Sequence, residues 1–450
     1  AGPLTVTLHD NDDIVCTITN SLQDGTIIVH KDVQGPNGED ITDNTSFTVN
    51  LDGTNAESIT ESTTVTYSNV TAGTHTVTEE TPPAGYTLFS MTPDGDTGTG
   101  GAQITVNPGQ TTDVYVVNRQ QQTTLTVTKI VINDNGGVKT VSDFPLFIDQ
   151  TQVTSGQVNN VNPGTYTVSE TSQSGYASTI GGDCNSSGQV TLALGENKTC
   201  TITNDDQSAS ITLIKDVINS NGGNAGPNDF GISIGGQVVN SGTTLDVNSH
   251  TLIAIDEVGL SGYSFVSITG DNKCPTTLGG TVALNEGEDI TCTITNDDQP
   301  AHLKVIKHVV NDNGGTAEAS DFTMTINGVV VQSGGSSFNG EEAPGTVRIV
   351  EPGTYNVTES GPDSYQSNFS ADCSGIIALG QAKTCTVTND DVQPTLKVVK
   401  VVINDNGGTA QVNNFPLKVD NVAVSSGDTN SFDAGTHVVS ETNHPGYTAS

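Results

Sequence analysis

The 450-residue chain reads as all-β: a tandem array of immunoglobulin-like antiparallel β-sandwich domains. Three observations predict this. Only 33% of the residues are hydrophobic and 4% aromatic, with no Trp, a composition that fits many small cores and not one large one. Thr, Val, Asn and 50 Gly dominate, apolar and polar residues alternate, and no segment of helical periodicity stands out. Finally, lysines at the ends of similar strands, Lys31, Lys129, Lys215, Lys307 and Lys400, recur roughly every 90 residues, the size of one sandwich.

The elements of one repeat follow in order. A first strand is read at Ile27–Lys31 (IIVHK), Leu125–Lys129 (LTVTK), Ile211–Lys215, Leu303–Lys307 and Leu396–Lys400. A tight turn follows, NDNGG at Asn133, Asn311 and Asn404 and NSNGG at Asn219. A middle strand leaves one turn and enters another: GTHTVTEETPPAGY from Gly73, GTYTVSET from Gly164, the diverged HTLIAIDEVGLSGY from His250, GTYNVTES from Gly353 and GTHVVSET from Gly435. The closing strand is CTITN at Cys16–Asn20, Cys200–Asn204 and Cys292–Asn296 and CTVTN at Cys385–Asn389, and the last three run on into NDD. The expected segments are 1–20, the closing strands of a truncated repeat; repeats at 21–122, 123–207, 208–299 and 300–392; and 393–450, the opening part of another truncated repeat.

Strand parity then exposes an anomaly. Leu125, Val127 and Lys129 share a face, as do Tyr166, Val168 and Glu170 in the middle strand and Cys200, Ile202 and Asn204 in the last. The apolar side therefore ends in a lysine, a glutamate and an asparagine. The same triple stands as Lys31, Glu79 and Asn118, as Lys215, Glu257 and Asn296, and as Lys307, Glu359 and Asn389. A solvated charge would not keep returning to one inward position.

Burial supplies a chemistry for the triple. An amine removed from water loses its preference for the charged form, whereas a buried carboxyl holds its proton. A neutral lysine can attack an asparagine carboxamide, expelling ammonia, while the glutamate polarises the carbonyl and carries protons. The product is an isopeptide bond. The plainer reading is a buried Lys–Glu ion pair with Asn as hydrogen-bond partner.

These motifs resemble the Cna B-type domains of bacterial surface proteins and pilins, also called SpaA-like or prealbumin-like, over essentially the whole chain. The resemblance implies an antiparallel two-sheet sandwich whose first and last strands lie side by side and are joined by a Lys–Asn isopeptide. It implies Glu79, Glu170, Glu257 and Glu359 as catalysts of the Lys31–Asn118, Lys129–Asn204, Lys215–Asn296 and Lys307–Asn389 bonds. The sequence departs from the pattern at His75, which replaces the motif Tyr, and in the third repeat, where Asp256 precedes Glu257 and the GTY turn is missing.

Six of the seven cysteines fall into pairs within repeats, Cys184 with Cys200, Cys274 with Cys292 and Cys373 with Cys385, and Cys16 is left over. Disulfides there imply an oxidising, extracellular cell-surface setting. Zinc would need a second pair or nearby histidines, so no metal is assigned to these cysteines. The ends are read as cuts through a domain, which suits a fragment of a longer array. The sharper alternative has residues 1–20 complete the open repeat of another copy, so that Asn20 serves Lys400 and Glu441 in a head-to-tail polymer.

The net charge of -37 argues against nucleic acid and anionic membranes as partners, and no apolar run reaches membrane-spanning length. No Gly-Xaa-Ser-Xaa-Gly, P-loop or His-Glu-Xaa-Xaa-His motif marks an enzyme, leaving single-turnover crosslinking within each domain. No cofactor is required. Parallel first and last strands would, however, group Asp134 with Asp205 and Asp206, and Asp312 with Asp390 and Asp391, as calcium ligands at domain junctions, against the ordinary hairpin reading of those turns. The expected function is a stiff, tension-resistant extracellular stalk or fibre shaft whose partners are neighbouring repeats or copies. The alternative is an adhesin that binds a glycan or a partner protein. Its site would be sought in the repeat without cysteines, which carries an insertion around Asp43 to Thr63, and would show as an exposed aromatic patch.

Overall fold

The computed structural model describes residues 2–92 and 101–450, which divide into two compact units, Ala1–Gln207 and Ser208–Ser450. Each unit holds two complete sandwiches, and the second also holds a partial one. No helix among the described residues is long and apolar enough to cross a membrane.

The second repeat shows the plan. One four-stranded sheet runs in the order Val158–Asn160, Thr124–Ile132, Asn197–Asp206, Tyr176–Gly182. The facing sheet runs Thr151–Val153, Leu146–Ile148, Gly164–Glu170, Gln189–Leu192. The other complete repeats have the same order in both sheets. All pairings are antiparallel except the central one, where first and last strands run parallel, with Lys129 beside Ile202 and Asn204 two residues further on. The equivalent parallel pairs join Gly25–Gln34 to Thr111–Gln120, Ala209–Ile218 to Asp289–Asp298, and Ala301–Val310 to Ala382–Asp391.

Period-2 alternation dictates this packing. In Gly25–Gln34 every other residue is buried, and Leu125, Val127, Cys200 and Ile202 are fully buried at the centre of the second core. Such small cores hold little apolar area, and in three of them the predicted disulfides are present: Cys184–Cys200, Cys274–Cys292 and Cys373–Cys385, with Cα separations of 5.1, 5.7 and 4.4 Å. Each ties the last strand to the segment that follows its antiparallel neighbour, a constraint typically worth about 2–4 kcal/mol. Cys16 is a free, exposed thiol.

Two segments depart from the motif reading. Cys16–Asn20 repeats the closing-strand sequence yet forms no strand and lies exposed, because a lone strand has no sheet to satisfy its backbone. In the partial sandwich the first strand pairs on one side only, with Thr429–Ser431, and shortens to Thr395–Lys397. At His75 the imidazole takes the place of the motif tyrosine, which in the second repeat is Tyr166 and donates to the carbonyl of Asn162, four residues back, at 2.8 Å. The imidazole bonds Asp52 at 2.7 Å and the Thr71 carbonyl at 2.7 Å, and the Asp52 hydrogen bond raises its pKa.

Candidate functional site

Each lysine enters the core from the first strand, each asparagine from the parallel last strand, and each glutamate from the facing sheet, so the triple bridges the sandwich. The lysine and asparagine cannot lie directly opposite, since Lys31 is in register with Val116. The long lysine side chain spans that two-residue offset to Asn118.

In the first repeat Lys31 Nζ donates to Asn118 Oδ1 at 2.6 Å, Asn118 Nδ2 donates to Glu79 at 2.9 Å, and Lys31 lies 4.0 Å from Glu79. In the second, Lys129 is 2.5 Å from Asn204 Oδ1 and 3.3 Å from Glu170. The third repeat, whose motif diverges most, is as complete as any: Lys215 to Asn296 at 2.8 Å, Asn296 to Glu257 at 2.6 Å, and Lys215 to Glu257 at 3.2 Å. In the fourth, Lys307 is 3.6 Å from Glu359 and donates to the His308 and Val387 carbonyls, while the buried Asn389 Oδ1 accepts no hydrogen bond. In the partial repeat Lys400 meets Glu441 at 2.6 Å, and Asn20 lies exposed outside any strand.

Burial governs the protonation of these groups. All four lysine side chains of the complete repeats are fully enclosed, against 16% exposure for Lys400. Desolvation lowers Lys31 to about 8 against the opposing pull of Glu79, and lowers Lys129, Lys215 and Lys307 likewise. Desolvation also raises Glu79, despite its Asn118 and Lys31 partners. In the first repeat both partners are thus biased toward their neutral forms.

Sequence reasoning missed the roof of the site. Phe47, Phe144, Phe230, Phe322 and Phe415 each place a buried ring 4.2–4.6 Å from the lysine Nζ. These rings exclude water and favour a cation only through their faces. In four repeats a short 3₁₀ turn delivers the ring, and the residue just before the Phe caps that turn: Asp143, Asp229, Asp321 and Asn414 accept the N–H of Thr140, Gly226, Glu318 and Gln411 at 2.7–2.8 Å. The recurring Asp-Phe or Asn-Phe pair was the available signal. Tyr176, Tyr263 and Tyr447 of the GY turns, and Tyr365 of the fourth repeat, then meet the Phe edge-on, and each hydroxyl donates to the first Asn of the NDNGG or NSNGG turn.

The acidic groups also come together. One ligand oxygen from each of Asp134, Asp205 and Asp206, and likewise from Asp312, Asp390 and Asp391, lies within 4.8 Å of the others. Asp206 and Asp391, however, are buried and already accept backbone N–H groups: Asn135 and Gly137 for the former, Asn313 and Gly315 for the latter.

A family model of the prealbumin-like fold domain matches residues 23–115, 120–202, 206–294, 298–393 and 391–450. The chain belongs to this family. Among solved structures it is similar to the Bacillus anthracis TIE protein, at 19% identity and a TM-score of 0.35, over 61% of this chain and 51% of that one. It is similar to two B repeat units of the collagen binding protein of Staphylococcus aureus, at 15% identity and a TM-score of 0.18, over 82% of this chain and 99% of that one. It is also similar to the major pilin from Streptococcus pyogenes, at 15% identity and a TM-score of 0.18, over 62% of this chain and 99% of that one. The chain thus spans about half the length of the first of these. No curated protein matches it.

Proposed function

We propose that these prealbumin-like repeats form an extracellular, surface-attached stalk, and that each complete repeat staples its first strand to its last by an intramolecular isopeptide bond. The observation that carries the reading is the enclosed amine within hydrogen-bond reach of an asparagine carboxamide, with a carboxyl beside both, in the first and third repeats. The neutral lysine Nζ attacks Asn Cγ, the bond from Cγ to Nδ2 breaks, and ammonia leaves. The protonated glutamate gives its proton to the departing nitrogen and regains one from Nζ, so it ends as it began. The pilin and repeat-protein folds among its structural neighbours suit such a role, and filament partners would be other copies of the chain.

The intact mass of the reduced chain tests this. The expected result is a deficit of four ammonias, one for each complete repeat. A mass equal to that of the unmodified sequence would leave four buried ion pairs in place of crosslinks.

One observation favours the adhesin alternative. On the outer face of the first repeat His30 and Tyr115 stack at 4.8 Å, and Arg119 lies over Phe89 at 3.3 Å. Tyr115 is 43% and Phe89 39% exposed, where the second repeat carries Thr128 and Thr201 at the positions of the stacked pair. Exposed aromatic rings suit the apolar faces of sugars. Binding to a panel of immobilised glycans that is lost in Tyr115→Ala would establish this function, and no binding by the wild-type chain would remove it.

A further inference from the structure

The NDNGG-type turns and the NDD ends remain unused by the crosslink, yet they are built around one another. In the third repeat the buried Asp298 accepts the backbone N–H of Asn221 at 2.9 Å and of Gly223 at 2.7 Å, while Asn221 Nδ2 donates to the Asp298 carbonyl at 2.8 Å. In the fourth repeat Asp391 accepts from Asp312 at 3.0 Å, from Asn313 at 2.9 Å and from Gly315 at 2.6 Å. Burial works against both carboxylates, but these N–H donors prevail and hold each below the ordinary aspartate pKa. The loop therefore wraps an anion that the protein itself supplies.

The outer side of the wrapped loop bears on the next sandwich. Gly222, at φ +87°, has no room for a Cβ, which would stand 2.8 Å from Glu351 Cγ and 2.9 Å from Pro352 Cδ of the fourth repeat. Gly314, at φ +84°, would place one 2.6 Å from the Ala434 carbonyl of the partial repeat, and Ala434 N–H donates to the Asn313 carbonyl at 2.7 Å. Pro352 and Ala434 occupy the same position, one residue before the glycine that opens the middle-strand motif. A second contact closes the junction between the third and fourth repeats elsewhere. Gln299 N–H donates to the Gly262 carbonyl at 2.8 Å, Gly380 N–H donates to the Gln299 carbonyl at 3.0 Å, and Leu379 leaves no space at Gly262. In the other unit, Gln121, Gly85 and Leu194 repeat this second contact between the first and second sandwiches.

We infer that the second aspartate of NDD is the pin of an inter-repeat lock: Asp298 and Asp391 fold the glycine loop into the seat on which the following sandwich rests. A junction held at two separate places cannot hinge unless both contacts open. The lock is independent of the crosslink, because neither aspartate touches the lysine, and mass spectrometry separates failure of one from failure of the other.

Hydrogen–deuterium exchange on the full chain tests the lock, comparing Asp391→Ala with Asp390→Ala, which removes the exposed neighbour. In Asp391→Ala, exchange is expected to rise about tenfold both in Asn311–Gly315 and around Ala434, while Ala301–Val310 keeps its protection. Asp390→Ala is expected to change neither. Loosening of the loop with no change at Ala434 would overturn the inference. So would loosening in both variants together with protection of the wild-type loop on adding calcium, which would make the aspartates ion ligands. Loss of protection in Ala301–Val310 would assign Asp391 to the fold of its own repeat and would also overturn it.

Discussion

Glu170→Ala in the full chain is expected to be one ammonia heavier than the substitution alone requires, and its second repeat should unfold about 4 kcal/mol more easily. Two effects combine. The lost Lys129–Asn204 link would have closed most of the repeat into a loop, a constraint of about 3–5 kcal/mol on the chain-entropy account. The substitution also leaves the Lys129 amine buried beside Asn204 and the Phe144 ring with no carboxyl partner. Calorimetry alone would not separate these, since breaking a simple buried ion pair costs a similar amount. Lys129→Met does separate them. It too forfeits the crosslink, but it fills the pocket with an apolar chain and leaves no unpaired amine, so it should be destabilised less than Glu170→Ala. Equal masses for wild type and Glu170→Ala, each corrected for composition, would remove glutamate from the chemistry.

The sequence made the repeats and the inward lysine legible for one physical reason: strand parity is strict. A residue two positions beyond Val127 must share its face, so Lys129 had to point into the core, and the structure encloses it fully. The cysteine pairs were legible because the second, third and fourth repeats each contained just two. What parity cannot supply is the partner across the sandwich. Phe144 reaches Lys129 through a short turn and a facing sheet, and only the recurrence of Phe after a small capping residue hinted at it. The role of Asp391 was hidden for a related reason: its ligands are backbone N–H groups, which every sequence has and none displays. Divergence in the third repeat does not disturb the placement of its glutamate. Asp256 points away from the triple, bonding the Glu257 N–H, and Glu257 keeps its place against Asn296.

Pulled from its ends, the chain should not lengthen at any of its four complete repeats. Tension enters a repeat at the start of its first strand and leaves at the end of its last, and these strands are parallel neighbours, so the load shears the pair directly. A bond from Lys31 to Asn118 would carry that load across, and the residues between them would never feel it. The first repeat is the cleanest place to look, because it has no disulfide to shorten the released segment. Asn118→Ala removes the bond and frees those residues, adding one step of about 300 Å at roughly 3.3–3.6 Å per extended residue. Single-molecule force spectroscopy reads that step against the other repeats, which serve as internal controls. A wild-type chain that already showed the step would unravel like any uncrosslinked sandwich, and tension resistance would then have to rest on hydrogen bonds between the parallel strands and on the three disulfides.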